Sequence, residues 1–240
     1  MIVAGVLITP VLLSPLPIFI SPLSTVVEAR DGSLMGARIA DDGQWRFPGS
    51  GKVPDKFEKS LLTFEDSWFY YHPGINPVSI LRAFRSNIKA GEVVSGGSTI
   101  TMQVARISRG NRPRTYSEKF IEMLSALKLE LFRSKKKILQ LYASNAPFGG
   151  NTVGLEAAAW RYTGKSSDEI TWAEAAALAI LPNSPALVSP GGTRKGLKPD
   201  AMPFLNVFIA RSILIPSLWF WLSMNLFPEN QSHFPRKRPT

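Results

Sequence analysis

Glu65 and Asp66 are adjacent carboxylates, followed at once by the rings of Trp68, Phe69, Tyr70, Tyr71 and His72 and by a Pro73-Gly74 stop. A carboxylate beside a dense aromatic patch suits a cleft that holds a bulky, partly apolar substrate for proton transfer. The same residues also suit a helix end whose rings enter the core and whose acids face water. Their partners along the chain have to decide between the two.

Downstream, Gly96 and Gly97 lead into Ser98, Thr99, Ile100, Thr101 and then Gln103 and Arg106. A glycine loop capped by hydroxyls at a helix start offers backbone N–H groups to phosphate oxygens, and Arg106 adds charge about one turn along. Lys119 and Glu122 are spaced to share one face of a helix. They form either a surface ion pair worth a few tenths of a kcal/mol or an acid and a cation lining a cleft with Glu65. Thr115-x-x-Glu118 fits a capping box, which gives Glu118 a structural role. Gly51-Lys52 does not make a P-loop, because Val53 replaces the hydroxyl and Arg46 the first glycine. Without cysteine, and with only two histidines far apart, the chain has no thiolate metal site and no histidine-built one.

The positioning elements read as helices from Asp55 onward. Phe57, Leu61, Leu62 and Phe64 recur at near-helical spacing and deliver Glu65 at a helix end. Pro77 opens a helix whose Ile80, Leu81, Phe84 and Ile88 form a stripe expected in the core. A helix from about Tyr116 places Phe120, Leu124, Leu127 and Leu131 on one face, and another runs from Lys135 to Tyr142. Glu169 to Leu181 reads as a buried, alanine-rich helix. Before them, Asp31-Gly32 and Asp42-Gly43 separate short β-type runs at 25–27, 34–39 and 44–47, which predict a small β-meander. The fold class is mainly α, with no strand–helix alternation.

The 240 residues carry a net charge of +10, which favours anionic partners. The basic residues are interleaved with the helical motifs and form no groove-reading module, so nucleic acid is not an expected partner. Residues 1–24 contain no charge and are long enough to span a bilayer, although Pro10, Pro15 and Pro17 interrupt them. We read a membrane anchor there; a signal peptide is the rival, without the positive n-region. The expected divisions are 1–24 anchor, 25–54 β-hairpin and linker region, 55–194 catalytic domain, and 195–240 an atypical apolar and basic tail. That tail is a second membrane-seeking segment or the product of a reading-frame change.

Taken together, the motifs resemble those of the family 51 peptidoglycan glycosyltransferases. Glu-Asp-x-x-Phe-x-x-His-x-Gly at 65–74 is similar to the first signature and Gly-Gly-Ser-Thr-Ile-Thr-x-Gln at 96–103 to the second. Lys119-x-x-Glu122 resembles the third, and Lys137-Ile138-Leu139-x-x-Tyr142 with Asn145 the fourth. Residues 101–106 and 146–150 look most like the penicillin-binding protein 1C branch. The resemblance implies a lysozyme-like helical fold with a membrane-contacting lobe. It also implies polymerisation of lipid II onto a nascent glycan strand with release of undecaprenyl pyrophosphate. By position Glu65 is the general base, and Glu122 assists the leaving pyrophosphate or a divalent cation, Mg or Mn, near it; no cofactor is otherwise required. Asp66, Phe69, His72, Ser98, Thr99, Gln103, Arg106 and Lys119 occupy the family's substrate-binding positions, Asp66 in a positioning role. The implied location is the inner membrane, with the domain on the periplasmic side among cell-wall synthesis proteins.

Three positions depart from the pattern. Met102 replaces the first of two glutamines, and Arg106 stands where lysine is common. Glu118 stands where arginine often precedes Lys119, which leaves one cation fewer unless Arg112 or Arg114 substitutes. Fragments such as Ser86-x-x-Lys89, Ser134-x-x-Lys137 and Ser223-x-Asn225 do not assemble a transpeptidase site, and no penicillin-binding activity is expected. The alternatives are a lysozyme-like peptidoglycan-cleaving enzyme and an inactive protein that binds lipid II or cell-wall partners.

Overall fold

The computed structural model describes residues 19–49, 51–92, 96–113 and 115–183. Most of the proposed anchor, Val94, Arg114 and the 195–240 tail lie outside the described residues. Among those described, no helix is long and apolar enough to cross a membrane.

The chain is mainly helical. Strand β1 (Thr25–Glu28) pairs antiparallel with β2 (Leu34–Arg38). The turn between them is fixed by Asp31, whose carboxylate accepts from the Ser33 N–H at 3.0 Å and its hydroxyl at 2.7 Å. The expected third strand does not form. Residues 44–47 leave the hairpin and dock instead on the loop after residue 145, where Trp45 N–H donates to Asn151 at 2.7 Å and Trp45 C=O accepts from Val153 at 2.9 Å. The meander is therefore a two-stranded hairpin, and the β-type run at 44–47 divides its backbone bonds between Ser24 and Ala40 beside the hairpin and the helical domain at Trp45.

Helix α1 (Asp55–Glu65) packs along α7 (Trp172–Ile180), and α3 (Ile100–Ser108) packs against both α4 (Tyr116–Phe132) and α5 (Lys135–Asn145). The two remaining helices are α2 (Pro77–Ala90) and α6 (Leu155–Thr163). Phe57, Leu61, Phe69, Ile100, Val104, Leu129, Ile138, Tyr142, Phe148 and Leu178 form one continuous core. α1 places Phe57 and Leu61 there as its spacing predicts. α7 starts later than the sequence suggests, because Thr171 and Glu174 close a full capping box that sets the first turn at Trp172. At Thr115 only half of the expected box forms: the threonine accepts from the Glu118 N–H, while the Glu118 carboxylate turns to Arg109 at 2.7 Å.

Two amphipathic stripes lie largely at the surface, the one on α2 against the expectation that it packs in the core. On α2 only Ala83 is buried, whereas Val78, Leu81, Phe84 and Ile88 are exposed. α4 buries Glu122, Ala126, Lys128 and Leu129 and leaves Phe120, Leu127, Leu131 and Phe132 at the surface. Helical periodicity identified the stripes but not the medium they face.

Gly74 joins the first motif to α4. Its φ is +89°, and a Cβ there would lie 2.9 Å from the Ala126 carbonyl oxygen. Gly91 ends α2 with φ +71° and open space around it. Gly74→Ala is expected to destabilise the fold by at least about 2 kcal/mol, combining backbone strain with the clash. Gly91→Ala should cost only about 1 kcal/mol from strain alone. Urea unfolding of the two variants measures the difference.

Candidate active site

α1 ends because Asp66 leaves helical geometry while its N–H still bonds to Leu62 C=O at 3.1 Å. Glu65, the last helical residue, thereby projects toward α3, and Gln103 Nε2 donates to Glu65 Oε2 at 2.9 Å. Oε1 is buried and makes no hydrogen bond. The Asn183 amide is near enough to act on the carboxylate without closing a bond on Oε1. Burial pushes the Glu65 carboxyl above the usual glutamate range, and the Asp66 charge adds to this. The hydrogen bond from Gln103, the nearby Asn183 amide and the Arg106 guanidinium oppose the rise.

Asp66 has a different environment. Its carboxylate accepts from His72 Nε2 at 2.9 and 3.0 Å and from the Ile100 N–H at 3.2 Å. His72 Nδ1 accepts from the Gly74 N–H at 3.1 Å, which requires a lone pair there and puts the ring proton on Nε2. Thr99 caps α3, accepting from the Met102 N–H at 3.2 Å and donating to Gly74 C=O at 2.6 Å. The N–H groups of Ile100 and Met102 are thus taken by protein partners, so the expected phosphate cradle at the α3 start is narrower than the sequence suggests. Phe69 is fully buried, with Lys135 Nζ 4.4 Å from its ring centre. Asp66, Phe69, His72 and Thr99 therefore turn inward, knitting the first motif to the second.

The third group forms on α4. Lys119 Nζ donates to Ser98 Oγ at 2.5 Å and lies 3.3 Å from Glu122 Oε2. Glu122 is buried while the lysine side chain stays 40% exposed, so this pair is more than a solvated surface bridge. Arg106 is partly buried and acts electrostatically on Glu65. Glu118 is paired with Arg109.

The fold also recruits residues to which motif reading gave no role. Lys135 Nζ donates to His72 C=O at 2.7 Å and to Glu130 at 2.8 Å, and Thr101 donates to the same Glu130 oxygen at 2.6 Å. This Lys135–Glu130 post braces the first motif and α3 from behind. The lysine run at 135–137 was the only signal, and nothing in it singled out its first member. A cavity of about 370 Å³ lies elsewhere, lined by Phe19, Arg46, Lys52, Gln140, Asn145 and Glu156 among others, and includes neither Glu65 nor Lys119.

Among the described residues no three acidic or histidine side chains converge on a point that could hold a metal. Glu122, the expected metal-side carboxylate, is already paired with Lys119. This donor set does not fit a protein-held divalent cation.

Comparison with known proteins bears on the whole constellation. Penicillin-binding protein 1C of Escherichia coli K12 is 44% identical over 178 residues, covering 73% of this chain and 23% of that protein. Penicillin-binding protein 1A of Aquifex aeolicus is 43% identical over 139 residues, covering 58% of this chain and 19% of the relative. The Neisseria cinerea penicillin-binding protein 1A is 37% identical over 164 residues, 68% of this chain and 20% of the relative. The chain spans about a fifth to a quarter of the length of these curated relatives. The transglycosylase family model matches residues 34–202, a span that holds Glu65, the loop at 96–103, Lys119 and Glu122, and the chain belongs to that family.

Proposed function

We propose that this domain is a peptidoglycan glycosyltransferase that polymerises lipid II into β-1,4 glycan strands with release of undecaprenyl pyrophosphate. The observation that carries the reading is the state of Glu65: half-buried, raised in pKa, and oriented by a single hydrogen bond from Gln103. Oε2 keeps a lone pair beyond that bond, which can accept a hydroxyl proton. In this reading Glu65 deprotonates the acceptor 4-hydroxyl, and that oxygen attacks the anomeric carbon of the lipid-linked donor with inversion. A positioned base of suitable pKa contributes about 10²–10⁴-fold.

Lys119, Ser98 and Arg106 face the pyrophosphate as it departs and gathers negative charge, where fixed cations and donors stabilise it most. Glu122 holds Lys119 in place for that task. Asp66, Phe69, His72 and Thr99 fix the backbone beneath the substrate, consistent with their inward hydrogen bonds and burial.

The exposed apolar side chains of α2 and α4 support a reading in which they meet a membrane, in keeping with a lipid-linked donor, an inner-membrane location and a periplasmic active site. Each such side chain contributes about 1.5–3 kcal/mol when it leaves water. Replacing Phe84 and Ile88 by serine should therefore weaken co-sedimentation with anionic vesicles by at least about tenfold, with the melting temperature unchanged. Unaltered partition would remove the assignment of this face.

Glu65→Gln is expected to lower conversion of lipid II to polymer by at least about 10²-fold. Because burial raises the folded carboxyl above its unfolded value, the folded state binds the proton more tightly and stability falls as pH rises through that window. The same variant should therefore melt higher than wild type near neutral pH, separating lost chemistry from lost folding. Full activity in the variant would sink the role of Glu65. Release of muropeptides from finished sacculi, without any lipid-linked donor, would instead identify a cleaving enzyme. Binding of lipid II by the wild type without turnover would identify a binding protein.

The wild-type rate should fall on the acid side as Glu65 takes up its proton, with the limb centred above the usual glutamate range. A limb in the ordinary range would show that burial does not set this carboxyl's working pKa.

A further inference from the structure

The cavity of about 370 Å³ includes neither Glu65 nor Lys119, yet Arg46, Lys52 and Glu156 all line it. Its volume is that of a small-molecule site. Arg46 is fixed there by its surroundings. Its backbone N–H donates to Ser24 Oγ at 3.0 Å and its C=O accepts from the Ser24 N–H at 2.9 Å, while Trp45 beside it is tied to Asn151 and Val153. The residue is only 9% exposed. Nη1 donates to Pro22 C=O at 2.6 Å and to Asp42 at 3.1 Å. Nε is buried and makes no hydrogen bond, and among the described residues nothing bonds to Nη2. A donor left unmet on a buried cation is costly. The unmet pair is the Nε–Nη2 edge, a two-donor fork that fits a carboxylate in a bidentate way.

The other two charges decide what kind of molecule can meet that edge. Lys52 has no ion-pair partner among the described residues and adds positive charge to the lining. Glu156 adds a negative charge: its Oε2 accepts from the Ser167 N–H at 3.3 Å and from the Ser167 hydroxyl, and no described cation pairs with it. Its place in the first turn of α6 suits the helix dipole, but it leaves the carboxylate without a cation in the cavity. Asp42, which offsets part of the Arg46 charge, is not among the lining residues. A dianion would be repelled by Glu156, and a simple cation by Arg46 and Lys52. A molecule with one charge of each sign finds a partner for both, and Phe19 and Phe47 offer it apolar wall. We propose that this cavity binds a short zwitterionic peptide, its carboxylate on the free edge of Arg46 and its ammonium at Glu156.

The test is a titration of the nitrogen-15-labelled wild-type chain with alanyl-alanine, N-acetyl-alanyl-alanine and alanyl-alanine amide, followed by NMR. Alanyl-alanine should displace the Arg46 Nε–H and Glu156 amide resonances. Each blocked peptide lacks one charge and should bind at least about tenfold more weakly, the loss of one charge-assisted contact. Glu156→Gln should abolish the preference for the free amine and keep that for the free carboxylate, and Arg46→Gln should do the reverse. Because Arg46 also ties down Pro22 and Asp42, Glu156→Gln carries the test if the arginine variant folds poorly. Equal binding of the three peptides, or no displacement of the cavity resonances by alanyl-alanine, overturns the proposal. The titration needs no turnover, so a wild type that fails to polymerise lipid II counts against the proposed function alone.

Discussion

The Asp66 carboxylate is the constraint on which the rest of the site depends. Asp66 caps the end of α1 through its backbone N–H, and its carboxylate accepts from the His72 ring and from the first N–H of α3. One buried acid thus fixes where Glu65 stands, where the aromatic turn goes, and where the second motif begins. Its charge is tolerable in the core because every partner is a donor; removing the carboxylate would strand two of them at about 1–3 kcal/mol each. The Thr99–Gly74 bond and the Lys135–Glu130 post repeat the same connection from two other directions. The catalytic candidate itself is held by far less, a single bond from Gln103, so rigidity is invested in the frame around Glu65.

The two acids of the opening pair therefore separate by environment. Asp66 is saturated with donors and closed to substrate. Glu65, its neighbour in sequence, is desolvated but under-bonded, which pushes its pKa up and leaves an oxygen able to take a proton. Adjacent carboxylates reach these opposite states because the helix ends between them. On α4, Lys119 and Glu122 form a second centre in which a buried acid steadies a half-exposed cation.

Much of this was legible from residue order. The helix carrying Glu65 and the Pro77 helix start follow from spacing, a hydroxyl cap for α3 was expected from Ser98, Thr99 or Thr101 and is Thr99, and the motifs at 65–74, 96–103 and 119–122 indicated the family. What the sequence concealed was direction and partnership. The stripe of Leu81, Phe84 and Ile88 reads as core by periodicity, which measures how apolar a face is without saying what covers it. The β-type run at 44–47 has strand composition, yet Trp45 within it takes its backbone partners from Asn151 and Val153, more than a hundred residues away. Glu118 looked like a capping acid, but Arg109 offered a stronger partner than a backbone N–H. Lys135 acquires its role only when long-range packing brings it against the His72 carbonyl and the Phe69 ring.

The central claim is that Glu65 acts as a base on the acceptor hydroxyl and does not itself attack the sugar. The stereochemical course of the reaction tests this most directly. NMR of the polymer made from lipid II should show the anomeric configuration inverted relative to the donor, as single displacement by an activated hydroxyl requires. Retained configuration would require an intervening covalent step at a carboxylate and would contradict the account.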